Sequence, residues 1–486
     1  MYQDHRASVL PPGRPKVERA PLRAESHTKW ATVGGYAAAA QPVLSAPLHA
    51  IAPLRVGMLG LGTVGIGTYN VMQRNAEVIE ARTGRPIEIV MIAVRNLQRA
   101  ARLVDDGVVL VDDPFAVVNH PAIDVVVEVM GGTALARDLV LQAIANGKHV
   151  VTANKALLAE HGTEIFAAAQ AQGVVVAYEG AVAVSIPIIK ALREGLTANR
   201  IEWIAGIING TTNYILSEMK DKGVSFANAL ADAQTKGYAE ADPTFDVEGV
   251  DAAHKLTLLA SNAFGVPVQF DKVHVEGITQ LDSVDIAFAE RLGYCVKLLG
   301  IAKRNTQGLE LRVHPTLVAS SHLLAQVHGS MNAVMVKSDA AGVTMYYGAG
   351  AGSEQTASAV IADLVDLARS TGTVHRQRVP SLAFQHNAIV ALPVAAIDDV
   401  QTAYYLRLDV SRLSRTMPSV LNQLSEAQVR VYQLDVLDHP TDPDLNAMVV
   451  LTEPTQLRLL RQAIEALEQL PCVMGFVKTI RMESLR

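Results

Sequence analysis

From residue 54 onward the chain alternates short apolar runs with longer stretches of helical period. The run LRVGML at 54–59 reads as a buried strand, and a helical stretch follows over 66–80. IEIVMIAV at 87–94 and AIDVVVEVM at 122–130 are the next clear strands. A helix over 135–146 follows, ended by Gly147, and 149–152 and 174–178 are further short strands. Strands alternating with helices predict an α/β fold with a parallel, doubly wound sheet, in which ligands bind beyond the carboxyl ends of the strands. Next come a strand at 203–208 and a helix running to Lys220. Residues 247–264 predict a helix with apolar positions at Val250, Leu256, Leu259 and Ala263. Residues 271–340 carry more strand and helix, with His314-Pro315 and Lys337-Ser338 as turns, and glycines at 348, 350 and 352 open a helix over 356–369. From 403 the pattern restarts as strand 404–410, helix 419–427, strands 429–436 and 446–451, helix 456–467 and strand 473–480. That order, βαββαβ, is the ferredoxin-like one.

Composition narrows this picture. The 486 residues suit about three domains, and with 50% hydrophobic and 19% charged residues a sizeable core can be buried. The expected division is a dinucleotide-binding domain at 54–185 completed by about 341–370, a catalytic and dimerisation domain of α+β type at 186–340, a connector at 371–402 and a C-terminal module at 403–486. Residues 1–53 are rich in Pro, Ala and Arg without a sustained period and read as a poorly ordered extension. They contain Asp4, Glu18 and Glu25 and lack the apolar core of a secretory signal. A formal net charge of −6 argues against nucleic acid or anionic membrane as partner, and no uninterrupted apolar run is long enough to span a bilayer. Two cysteines, Cys295 and Cys472, make neither a disulfide framework nor a metal cluster and fit a reducing, cytoplasmic setting.

Candidate chemistry gathers in two places. GLGTVG at 60–65 stands between a strand and a helix, the position at which a glycine motif binds a dinucleotide. Gly60 permits a tight turn, Gly62 lets backbone approach a pyrophosphate, and Gly65 allows close packing. Thr63 and Val64 complete the loop, and the helix start offers free N–H groups to phosphate. After the strand at 87–94, where an NAD-type fold carries an acidic ribose ligand, stand Arg95 and Asn96, with Arg99 and Arg102 behind. An arginine there suits a 2′-phosphate, so NADP is favoured over NAD. Thr133 and Lys155 fall at carboxyl ends of strands. The second place is GYAEADPTFDVEGVDAAHK at 237–255. Asp251 and Lys255 are four apart on one helix face and can pair, which taken alone is most often a solvated surface pair. Asp242, Asp246 and Glu248 gather at the expected helix start, where the dipole favours them, and such carboxylates can hold a substrate ammonium. A positioned lysine can exchange a proton with a substrate oxygen. Glu179 enters an apolar loop where it must face a cation or backbone N–H groups. The polar cluster Asn209–Asn213 serves as a functional loop or as a helix cap.

Together these residues resemble homoserine dehydrogenase in its longer form, with a C-terminal ACT domain. The resemblance covers about residues 54–486, through GLGTVG, VTANK at 151–155, GIINGTTNYIL at 206–216, the 237–255 stretch, and GAGAG with TASAV at 348–360. It implies oxidation of L-homoserine to L-aspartate 4-semialdehyde, or the reverse, with NAD(P), in threonine and methionine biosynthesis. Lys255 then matches the lysine that exchanges the substrate proton, Lys155 a second lysine at nicotinamide and substrate, and Asp251 the carboxylate that orients them. Glu240, with Asp246, matches the substrate ligands. Gly237, Gly352 and Thr133 match positions near the cofactor. A sodium ion is implied on the loop of Glu179, Val182, Val184 and Ile186, where the family has glycine in place of Val184. A homodimer or homotetramer is implied, with an amino-acid effector as candidate ligand of the ACT-like module. The turn after that module's first strand, at 411–419, has no glycine where family members carry one. Two other functions fit the same residues: an NADP-dependent dehydrogenase of another small amino acid, and a non-catalytic sensor of NADP and an amino acid. A sensor has no need of Lys155, Asp251 and Lys255 together.

Overall fold

The structure is a computed structural model that describes residues 52–370, 372, 378–411, 416–439 and 442–485. Nearly all of the expected extension at 1–53 lies outside the described residues, as do 412–415 in the C-terminal turn and 373–377 in the connector. Among the described residues no helix is long and apolar enough to cross a membrane.

Strands β1 (Leu54–Leu59), β2 (Ile87–Ala93), β3 (Val109–Val111), β4 (Val125–Glu128), β5 (His149–Thr152) and β6 (Val176–Ala177) form a parallel sheet in the order β3-β2-β1-β4-β5-β6. The apolar runs are continuous because both faces are covered. Val125 and Val127 point to one side, with Tyr69, Met72, Val360 and Leu364, while Val126 points to the other, with Leu139, Ile144 and Leu157. The helix Ser353–Ser370 therefore closes the same layer as the helix Thr63–Arg74, although nearly the whole middle of the chain separates them. The stretch expected as one helix over 66–80 is two helices, Thr63–Arg74 and Ala76–Thr83. Asn75 ends the first, its N–H bonding to the Val71 carbonyl at 3.0 Å, and opens the second.

A second, mixed sheet is built from β7 (Ile201–Ile207), β8 (His274–Val275), β9 (Tyr294–Asn305), β10 (Gly308–Ala319), β11 (Met331–Ser338), β12 (Gly342–Ala349), β13 (Gln401–Ser411), β14 (Val431–Asp438), β15 (Leu445–Thr452), β16 (Thr455–Gln456) and β17 (Val473–Glu483). Its main path runs β12-β11-β7-β9-β10-β17-β13-β15-β14. Four of these, in the order β17-β13-β15-β14, are antiparallel neighbours with the helices Thr416–Glu426 and Leu457–Glu468 packed on one face, which is ferredoxin-like topology. His314 and Pro315 are not a turn but lie inside β10. Proline is tolerated there because one side of β10 changes partner at that point. It pairs with β8 at Arg312 and Val313 and with β17 only from Thr316, leaving the intervening positions outside either ladder. Lys337 and Ser338 likewise end β11 at a register shift rather than forming a free turn.

The helix expected over 247–264 begins later, at Val250, and runs to Phe264. A separate turn, Thr244–Val247, precedes it, and Gly249 at φ 83° breaks the two apart. Asp246 and Glu248 therefore lie outside its first turn. The helix is also buried on every side, not on one apolar face: Asp251, His254, Lys255, Thr257, Ser261 and Asn262 are covered as fully as Leu256 and Leu259. Its apolar stripe packs on β9, β10 and β7 of the second sheet, and its opposite side meets the helix Lys155–Gln172 from the first layer. Polar residues pressed between two layers must find partners there, and that requirement shapes the site.

Candidate active site

The dinucleotide end is set by backbone. Gly60 has φ 101°, and a Cβ there would press on the backbone of Met130; a Cβ at Gly65 would lie 2.4 Å from the Gly60 carbonyl oxygen. A Cβ at Gly62 would meet nothing, so this residue leaves open space for a pyrophosphate to approach the chain. The first N–H groups of the following helix, on Thr63, Val64 and Gly65, have no partner within it. A cleft of about 720 Å³ opens here, lined by Gly60, Gly62, Arg95, Asn96, Arg99 and the Gly131-Gly132 turn. Arg95 and Arg99 are exposed at its rim. Gly352, at φ 138°, precedes Ser353, whose hydroxyl bonds to the Thr63 carbonyl, so the second glycine-rich loop lies against the same helix start.

The cleft leads to the lysines by short steps. Thr133 opens the helix Ala134–Ala145 beside Gly132. The Asn154 amide donates to the Gly132 carbonyl at 2.7 Å while its oxygen caps the helix that starts at Lys155. Lys155 Nζ lies 3.2 Å from Asp251 Oδ1 and 5.8 Å from the centre of the Phe245 ring. Lys255 Nζ donates to Asp251 Oδ2 at 2.8 Å and to the Ile208 carbonyl at 2.8 Å. The Asp251–Lys255 pair that could have been a surface ion pair is thus buried, with 6% and 8% of the side chains exposed, whereas Lys155 keeps 33%. Burial alone would push the Asp251 carboxyl up, but Lys255 and Lys155, with hydrogen bonds from Lys255 and Asn209, hold it well below the usual carboxylate range. Asp246, half-buried, is shifted the other way by burial and by the neighbouring Asp251 charge.

The structure brings Lys155, Lys255, Asp251 and Asp246 together. Glu240 stands apart: it is exposed on the loop after the helix Phe226–Thr235, and its carboxylate joins none of the cluster's hydrogen bonds or ion pairs. That loop, which also holds Gly237 at φ 75°, is fastened to the site by Thr211, whose hydroxyl donates to the Tyr238 carbonyl at 2.7 Å. Asn209 is a helix cap, one of the two readings of its polar cluster, and its amide reaches further than a cap requires. It caps the helix Gly210–Lys222 and also bonds Asp246 and Asp251.

Two contributors escape a reading of periodicity. Glu128 ends β4 fully buried, accepting from the Met130 and Gly131 N–H groups at 3.0 and 3.3 Å and from the Thr152 hydroxyl at 2.6 Å. It thereby holds the cleft's glycine turn and the strand end before Asn154. Burial pushes its carboxyl up. Phe245, exposed beside Lys155, packs edge-on against His254, which packs on Phe270. A charge inside an apolar strand run was the available signal for Glu128; Phe245 carried none.

On the loop at 179–186, Glu179 is buried and both its oxygens accept backbone N–H groups, from Ile189 at 2.9 Å and Lys190 at 2.8 Å. Its own N–H donates to buried Asp363 at 2.8 Å. Val182 and Ile186 are buried, and Val184 takes φ 54°, the left-handed conformation that a glycine adopts without strain.

Comparison with known proteins follows the same division. The family model described as "Homoserine dehydrogenase" matches residues 187–365, and that described as "Homoserine dehydrogenase, NAD binding domain" matches 60–179. A homoserine dehydrogenase of Pseudomonas aeruginosa is 54% identical over 434 residues, covering 89% of this chain and 99% of that protein. One of Neisseria gonorrhoeae is 50% identical over 436 residues, covering 89% and 99%. The crystal structure of a homoserine dehydrogenase from Thiobacillus denitrificans superposes with a TM-score of 0.85 at 55% identity, covering 89% of this chain and 99% of that one.

Proposed function

The chain belongs to the homoserine dehydrogenase family, and we propose that Lys255, Lys155, Asp251, Asp246 and Glu240 carry its NAD(P)-dependent interconversion of L-homoserine and L-aspartate 4-semialdehyde. The observation that supports this most is the buried carboxylate of Asp251 shared by two lysines, one of which follows Asn154, the residue bonded to the Gly132 carbonyl in the cleft wall. When bound, the nicotinamide supplies hydride to the aldehyde carbon or accepts it from the alcohol carbon. Lys255 has three N–H donors, and two are fixed by the Ile208 carbonyl and Asp251. The third remains for the substrate oxygen. In reduction this N–H bond breaks as the new O–H bond forms; in oxidation the proton returns to nitrogen. Lys155, less buried, faces the same oxygen and adds positive charge where negative charge develops. Asp251 keeps both ammonium groups aimed. Asp246 and Glu240 bind the substrate ammonium. NADPH consumption with L-aspartate 4-semialdehyde, with NADH in parallel, tests the reaction; inactivity of the folded protein with both coenzymes would refute it.

Gly60, Gly62, Thr63, Val64 and Gly65 receive the pyrophosphate, with Thr133, Gly237 and Gly352 around the nicotinamide end. Arg95 is assigned to a 2′-phosphate, which favours NADP. An exposed arginine bonded to phosphate contributes about 1.5–3 kcal/mol. Arg95→Asp is therefore expected to lower kcat/KM for NADPH by roughly 10–10²-fold while leaving NADH little changed. An unchanged NADPH-to-NADH ratio removes Arg95 from this role.

A sodium ion is assigned to the carboxylate of Glu179 and the carbonyls of Val182, Val184 and Ile186. The donors are hard oxygens, and the buried neighbour Asp363 adds negative charge that a cation offsets. Exchanging sodium chloride for choline chloride at equal ionic strength is expected to lower the melting temperature; equal melting in both salts rejects the site. The ferredoxin-like module is read as an ACT-type regulatory unit with an amino-acid effector, and the assembly as a homodimer or homotetramer. Light scattering tests the latter, and activity titrated with threonine the former.

A further inference from the structure

We propose that Asn209 is a positioning residue of this site, holding Asp246 and Asp251 in one fixed arrangement through the two hydrogens of its side-chain amide; the inference rests on the roles assigned above to those carboxylates and to Lys255. Asn209 lies buried between β7 and the helix Gly210–Lys222. Its Oδ1 accepts from the Thr212 N–H at 2.8 Å and the Thr212 hydroxyl at 2.9 Å. Its Nδ2 donates to Asp246 Oδ1 at 2.7 Å and to Asp251 Oδ2 at 2.8 Å. The amide has only one orientation that works, because an ionised carboxylate accepts and cannot donate.

A helix cap needs only the oxygen. The nitrogen is surplus to capping, and both of its hydrogens go to the site. Asp246 and Asp251 need such a tie. They belong to different elements, the turn Thr244–Val247 and the helix Val250–Phe264, and Gly249 between them has φ 83°. Helical continuity therefore does not fix one carboxylate relative to the other, and their like charges push them apart. Asn209 bridges the break from a third element. It keeps the substrate-binding carboxylate at a set distance from the carboxylate that aims Lys255 and Lys155. A displacement on the order of 1 Å in such a site can cost about 10²-fold in rate.

The test separates the cap from the bridge. Asn209→Ser retains a good cap oxygen and loses the amide nitrogen. Asn209→Asp retains the cap and the shape but turns an oxygen toward two carboxylates. For each variant, kcat and KM for L-aspartate 4-semialdehyde are read below its own melting temperature, together with the NADPH Kd and Tm, and Lys255→Ala is measured alongside. N209S is expected to stay folded at the assay temperature with the wild-type NADPH Kd, to lose about 10²-fold in kcat and to raise KM; N209D is expected to lose more. Wild-type kcat and KM in N209S would reduce Asn209 to a helix cap and overturn the proposal. Wild-type turnover in Lys255→Ala would instead overturn the reading on which it rests. A loss in Lys255→Ala beside an unaffected N209S sinks the role of Asn209 alone.

Discussion

Lys255→Ala is expected to lower kcat for reduction of L-aspartate 4-semialdehyde by roughly 10²–10⁴-fold, the usual cost of losing a general acid–base group. The NADPH Kd should stay near its wild-type value, because the cleft of Gly60, Gly62 and Arg95 is not touched by the change. The Asp251 carboxylate is not left without a partner in this variant, since Lys155 and Asn209 remain on it at 3.2 and 2.8 Å. The protein should therefore fold, and the loss should be read in turnover. Lys255→Arg sharpens the interpretation. Its guanidinium keeps a cation beside Asp251 but does not release a proton in a protein. If Lys255 acts only as a positive charge, the arginine variant recovers much of the rate; if it exchanges the proton, the arginine variant stays within about tenfold of alanine. Near-wild-type kcat in Lys255→Ala would pass the proton role to the more exposed Lys155.

Much of this site is written locally in the chain. The glycine loop at 60–65 and its flanking strand and helix are contiguous, so pattern alone places them. Asp251 and Lys255 are one helical turn apart, and helix geometry pairs them wherever the helix lies. The βαββαβ succession of elements at the C-terminus follows in the same way from period and turn signals. What periodicity does not carry is which surfaces meet. The second bond of Asp251, to Lys155, joins two layers of the fold. The same meeting of layers turns an apparently amphipathic helix into one buried all round. Glu240 is the reverse case: its place near the site in sequence does not put its carboxylate on the cluster. Pro315 misleads for a related reason. A proline in a run of strand residues signals a turn unless the ladder beside it changes partner, and that change depends on β8 and β17, both remote in sequence.

Asp251→Asn is expected to damage both folding and catalysis, and the geometry gives the reason. The carboxylate receives three donors, Lys155 on one oxygen and Lys255 with Asn209 on the other. An amide has only one accepting oxygen, so its NH2 group must face either an ammonium or the Asn209 amide, donor against donor. With the NH2 group toward Asn209 and Lys255, Lys255, 8% exposed, keeps only the Ile208 carbonyl as partner; with it toward Lys155, that ammonium loses its oxygen; in both cases the buried Lys255 loses its counter-charge. Breaking a buried pair in this way typically costs about 3–5 kcal/mol, and kcat should fall with it because the charge that aims both lysines is gone. The pH dependence separates this mechanism from a general loss of packing. The Asp251 carboxyl is held below its ordinary value in the folded state. A carboxyl lowered on folding contributes stability that is fully present above its unfolded pKa, about 3.9, and is lost as pH falls through the folded value. Denaturant unfolding of wild type and Asp251→Asn should thus differ by a constant amount from pH 8 down to about 5, and the gap should close only in stronger acid. A gap that already narrows between pH 8 and 6 would mean that Asp251 does not titrate as the charged centre of the two lysines.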